Sequence, residues 1–179
     1  MSDTMQRLPS AAGLVPMLLL LASLLHGAPS FFMPDEADDA LAHLHKRIAA
    51  ARHTLTLITP QFHSRELERA VVKAVERGVS VTLVTSGSDA DHGASLVRFR
   101  GVAYRIAHGQ LVDDYDGALA LTFMIVDDAY ACSSSLPFRS DAFSHDIGLL
   151  ECSDAPPRLA TYRDAAKRII ERSRPYLQP

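Results

Sequence analysis

After residue 35 the apolar positions of this chain change period several times, and each change marks a new element. In "PDEADDALAHLHKRIAAARH" the residues Ala37, Leu41, Leu44, Ile48 and Ala51 fall three and four apart, the spacing of a helix with one buried stripe. Asp35, Glu36, Asp38 and Asp39 sit in its first turn and Arg52 and His53 in its last, each complementing the helix dipole. "TLTLIT" then alternates as a strand, closed by Pro60. "SRELERAVVKAVERG" returns to helical spacing, with Leu67, Val71, Ala74 and Val75 inward and Gly78 as its stop. "VSVTLVT" predicts a strand, "DADHGASLVRFRG" a short helix, "VAYRI" a strand, and "ALTFMIVDD", "AYACSS" and "HDIGLLEC" three more strands with short links. "PPRLATYRDAAKRIIERSRP" predicts a closing helix, with Leu159, Tyr162, Ala166 and Ile169 inward and Pro175 ending it. The pattern predicts one α/β domain, a mixed β-sheet flanked by helices on both faces. Its expected core includes Leu41, Leu57, Val71, Leu83, Ile125, Leu149 and Ile169.

The N-terminus follows another rule. Residues 8–34 contain no Asp, Glu, Lys or Arg, and within them runs "GLVPMLLLLASLLHGAPS". Unbroken leucine without an amphipathic period suits a secretory signal peptide, with Ala28-Pro29-Ser30 as its cleavage site, or a retained membrane anchor. A buried N-terminal helix is the plainer alternative. The expected organisation is therefore residues 1–30 as signal peptide or anchor and residues 35–179 as the domain, either exported or anchored in a membrane.

Composition narrows the function classes. The formal net charge is −3 and the sequence pI about 6.2, which argues against a protein built mainly to hold a polyanion. Binding to nucleic acid is expected to be weak or absent. There is no internal repeat, and no residue spacing implies a cofactor or a metal ion. Cys132 and Cys152 lie in strands that can be neighbours; an exported protein favours a disulfide, and two buried thiols are the alternative.

The candidate chemistry starts at "ALTFMIVDD", a buried run that delivers Asp127 and Asp128 to one edge of the sheet. With "TLTLITPQFHSRELERAVVKAVERGVSVTLVTSG", "GVAYRI", "FMIVDD" and "SHDIGLLE" in this order, the chain resembles the phospholipase D superfamily, most of all its small single-domain bacterial endonucleases. The resemblance runs through nearly everything after Asp35. It implies that an H-x-K-x-x-x-x-D motif should stand on the opening strand. Laid on this sequence, the His falls on Ala120, the Lys on Thr122 and the Asp on Asp127. The following G-S-x-N falls on Ser133, Ser134, Ser135 and Leu136, and the later N-x-E on Ser144, His145 and Asp146. In the family the His attacks phosphorus and the Lys neutralises the charge that builds on phosphate. Ala120 and Thr122 offer neither function, so the resemblance implies a pseudoenzyme in which Asp127 is a strand-end carboxylate holding a turn.

Substitute residues are conceivable. His63, His108 and His145 are candidate nucleophiles or acids, each also readable as an ordinary surface imidazole. Residues 133–135 can hydrogen-bond an anion or end a hairpin, and Asp113, Asp114 and Asp116 would repel a phosphodiester. Three readings stay open: a binding or scaffold subunit, an active phosphodiesterase with a non-standard nucleophile, and a structural subunit of a membrane-associated assembly. Single-motif relatives pair two copies of the motif strand, so the resemblance also implies a homodimer, or a heterodimer with a related protein.

Overall fold

The computed structural model of the chain describes residues 28–86, 96–107 and 119–176. Among them the strands form an eight-stranded sheet in the order β1-β9-β7-β6-β2-β4-β5-β10. Its members are β1 (Ser30–Met33), β2 (Thr54–Ile58), β4 (Ser80–Ser86), β5 (Val102–Ala107), β6 (Thr122–Val126), β7 (Tyr130–Ser134), β9 (Gly148–Ser153) and β10 (Arg174–Pro175). The strands β2, β4 and β5 run parallel, the β2–β4 crossing passing through a helix, and the remaining pairs are antiparallel. The short strands β3 (Phe62–His63) and β8 (Phe138–Arg139) pair in parallel beside the main sheet.

Four helices complete the described chain: α1 (Ala37–Ala50), α2 (Arg65–Glu76), α3 (Ser140–His145) and α4 (Pro156–Arg172). On one face α1 and α2 bury Leu41, Leu44, Ile48, Leu67 and Val71 against Leu55, Leu57, Leu83 and Met124. On the other, α4 packs Leu159 and Ala166 against Ile58, Val84, Phe123 and Ile125. The strand period of two divides each strand between these cores, which is why β6 is buried along its whole length. Ser64 caps α2 by accepting from the Leu67 N–H, and Gly78 follows that helix at φ +91°, a conformation that favours glycine.

The α/β architecture, the mixed sheet and the helices on both faces match the expectation. Several details do not. The sheet begins at Ser30, ahead of the predicted domain start at Asp35, because Ser30–Met33 pairs with β9. Leu149, expected in the core, is 41% exposed, whereas its neighbour Leu150 is fully buried. Both are leucine, so the pattern left the phase of β9 undetermined; the sheet turns Leu149 toward the α4 side, where α4 reaches β5, β6 and β7. Ile169 is only partly buried against that core. The helix expected over "DADHGASLVRFRG" lies mostly outside the described residues, and residues 97–101 form turns. The motif strand begins at Thr122 rather than Ala120. Cys132 and Cys152 stand opposite one another on β7 and β9 and form a disulfide.

Candidate functional site

The strand β6 carries the motif positions, and its two ends differ. At the leading end Ala120 is exposed and ends in a methyl group. Thr122 is 6% exposed and pairs with Ser134 across β7. Neither brings a nucleophilic imidazole or a cation to this end. The three serines that follow are each engaged in a hydrogen bond within the protein, Ser133 and Ser134 half-buried and Ser135 exposed. The Ser133 hydroxyl accepts from Tyr162 on α4 at 2.7 Å, Ser134 Oγ accepts from the Leu136 N–H at 3.0 Å, and Ser135 Oγ from the Leu149 N–H at 2.9 Å. Gly148 is required beside them, because a Cβ there would lie 2.4 Å from Leu136 Cγ.

The trailing end is built differently. Asp127 and Asp128 occupy positive φ, +51° and +52°, in a turn closed by the Ala129 N–H on the Val126 carbonyl at 3.0 Å. The Asp127 carboxylate accepts from three successive backbone N–H groups, those of Arg52, His53 and Thr54, at 2.7–2.9 Å. Burial pushes this carboxyl up, but the three N–H donors outweigh it and hold its pKa below the usual value. Asp127 therefore ties the β6–β7 turn to the segment that feeds β2.

The candidate substitutes are dispersed. His145, at the end of α3, is exposed with Nδ1 2.9 Å from the Asp141 carbonyl. Asp146 follows it as an exposed cap. His63 is exposed on β3, opposite Arg139 of β8. His108, Asp113, Asp114 and Asp116 lie outside the described residues.

A second histidine group involves none of the motif positions. His43 Nε2 lies 2.9 Å from the Tyr130 hydroxyl, and Arg47 stacks its guanidinium 3.7 Å from the Tyr130 ring centre. Burial, then the charges of Arg47 and Lys46, lower the His43 pKa and favour its neutral form. His43 and the two cysteines place ligand-type atoms within 4.8 Å of one another, but the disulfide engages both sulfurs.

Sequence reasoning missed one feature. The cations Arg65, Arg69 and Lys73 recur every four residues on α2 and line a cleft of about 890 Å³ with His45, His63 and Arg139. The signal was a like-charge repeat at helical spacing, readable from "RELERAVVK".

Comparison with known proteins decides the family. The family model for the cardiolipin synthase, PLD-like domain, matches residues 44–168. The chain belongs to the phospholipase D-like family. Its fold is similar to NucT from Helicobacter pylori, at 19% identity and a TM-score of 0.76, covering 84% of this chain and 99% of that one. It is similar also to Nuc from Salmonella typhimurium, a phospholipase D family member, at 14% identity and a TM-score of 0.70, covering 85% and 99%. A weaker likeness joins it to TrmBL2, an archaeal chromatin protein, at 14% identity and a TM-score of 0.61, over 92% of this chain and 62% of that one. No match was found among curated proteins. The family-model match spans β6 and the residues on both sides of it, Ala120 and Asp127 included.

Proposed function

We propose that this phospholipase D-like domain no longer performs phosphohistidine chemistry and acts as an exported or membrane-tethered binding or scaffold subunit. One observation carries the reading: the two positions that would bear nucleophile and cation hold an exposed methyl group and a buried hydroxyl, while the third, Asp127, spends its carboxylate on three backbone donors. Losing such a nucleophile removes several orders of magnitude in rate.

The domain works in pairs on this reading. Phe32 and Leu149 are cross-strand partners on β1 and β9 and are 47% and 41% exposed. Leu121 and Ile147, at the same end of the sheet, are 51% and 79% exposed. A second copy, or a related domain with an intact motif, would cover these side chains. The leucine-rich residues before Pro29 supply the export signal or tether.

The activity test uses bis-p-nitrophenyl phosphate and single- and double-stranded DNA, with the full-length chain. No turnover above background is expected. Turnover abolished by His63→Ala or His145→Ala would overturn the proposal and identify a replacement nucleophile. For the pairing, light scattering on residues 28–179 is expected to give the mass of two chains, and Leu149→Asp to reduce it to one.

A further inference from the structure

The arginines of this protein fall into two groups. Most described ones near the core are occupied. Arg77 donates to the Ile48 and Ala51 carbonyls, Arg105 to Ser173, Arg139 to Asp141 and Gln61, and Arg47 covers Tyr130. Arg65, Arg69 and Lys73 are exposed, and no hydrogen bond or ion pair holds their head groups among the described residues. They share one face of α2 at four-residue intervals, so their heads are spread along about 12 Å of helix axis.

That face borders an open, shallow cleft. Arg65, Arg69 and Lys73 line the cleft of about 890 Å³ together with His45 of α1 and His63 of β3. Against these three cations and two imidazoles the unengaged acid of the lining is Glu66, since Asp141 is taken by Arg139. The N-terminus of α2 opens at the same place and adds its positive dipole end. None of the motif positions lines the cleft. A chain of net charge −3 thus places three cations and two imidazoles beside one cleft, with Glu66 in its lining and Glu68 and Glu76 bordering a neighbouring groove on the same helix.

We propose that this cleft, separate from the motif strand, binds a linear phosphate polyanion that lacks bases. The linear repeat matches a ligand carrying several phosphates in a row better than a single compact anion. A nucleic-acid strand is disfavoured because such grooves hold successive bases on several aromatic rings, whereas no Phe, Tyr or Trp lines this cleft and Phe99 alone lines the neighbouring groove that the same cations border. A membrane surface is disfavoured by the absence of a large apolar side chain from the lining.

The test titrates purified full-length chain with short-chain inorganic polyphosphate by calorimetry at low and at physiological salt. Saturable binding that weakens with salt is expected. The double variant Arg69→Glu/Lys73→Glu should weaken it at least about tenfold, equivalent to about 1.4 kcal/mol. The variant Arg163→Glu/Lys167→Glu on α4, with the same charge change on exposed residues, should change it less than about twofold. Thermal melts confirm that both variants fold. Equal losses in the two variants would reduce the effect to net charge and overturn the proposal. So would an absence of binding, or single-stranded DNA or anionic vesicles binding as tightly as polyphosphate. The readout is binding away from the motif positions, so it stands or falls independently of any phosphodiesterase result.

Discussion

The two ends of β6 are held by different physics. At the Asp127 end a charged carboxylate meets three backbone N–H groups, and the turn depends on it. At the Thr122 end the buried hydroxyl sits among paired strands, and the serines nearby serve backbone and helix contacts. The difference teaches that Asp127 has a structural use of its own, which would keep it in place whether or not the domain is active, as the proposed loss of activity requires.

The comparison can be broken or sharpened by four measurements. The largest effect is expected from the disulfide that staples β7 to β9 between the two ends. Cys132→Ser/Cys152→Ser opens a loop with a sequence separation of 20 and should cost about 3 kcal/mol in urea denaturation. A loss no larger than that of a surface substitution would mean that sheet pairing alone holds this half together. Next, Asp127→Ala removes the shared acceptor of three donors and should cost about 2 kcal/mol, while leaving the secondary structure by circular dichroism unchanged. If it cost nothing, the two ends would be equivalent.

Asp127→Asn keeps an acceptor and tolerates positive φ, so a loss of about 1 kcal/mol is expected, together with a changed acid limb. The sign follows from the lowered pKa. The native carboxyl binds its proton less readily than the unfolded one, so its stabilisation is full above the ordinary value of 3.8 and is lost as pH falls below it. His43 acts earlier on the same descent: its neutral form is favoured in the fold, so that contribution fades as pH drops below 6.5. Melting curves from pH 8 to pH 3 should show both steps. The Asn variant should lack the lower one and His43→Gln the upper. Smallest of all, Thr122→Val should change stability by less than about 1 kcal/mol, the net worth of any single hydrogen bond its buried hydroxyl could lose.

Much of this was legible in the residues because hydrophobic period reports burial directly. The stripes of α1 and α2 and the buried run of β6 are where the pattern puts them. What stayed hidden depended on register or on tertiary company. Leu149 and Leu150 are chemically identical, so which one faces out is set by pairing with β1 and β7. The strand β1 itself was masked by its position just after a leucine run, where "SFFM" reads as more of the same. Asp127 was readable as a turn residue, but its three donors lie more than seventy residues away in sequence. The α2 cations were visible as a repeat; that they lack internal partners while other arginines have them is a property of the folded surface.

One feature of β1 has a bearing on orientation. The strand climbs toward the Thr122 end, from Ser30 opposite Glu151 to Met33 opposite Gly148, and the Pro29 carbonyl before it accepts from the Cys152 N–H at 2.9 Å. Traced backward, the described chain heads for the pole where Asp127 sits. A tether joined there would hang the domain by that pole. The Thr122 end of β6, the exposed Leu121 and Ile147, and His63 in the lining of the cationic cleft would then point outward, like the free end of a mast, at whatever approaches from solution.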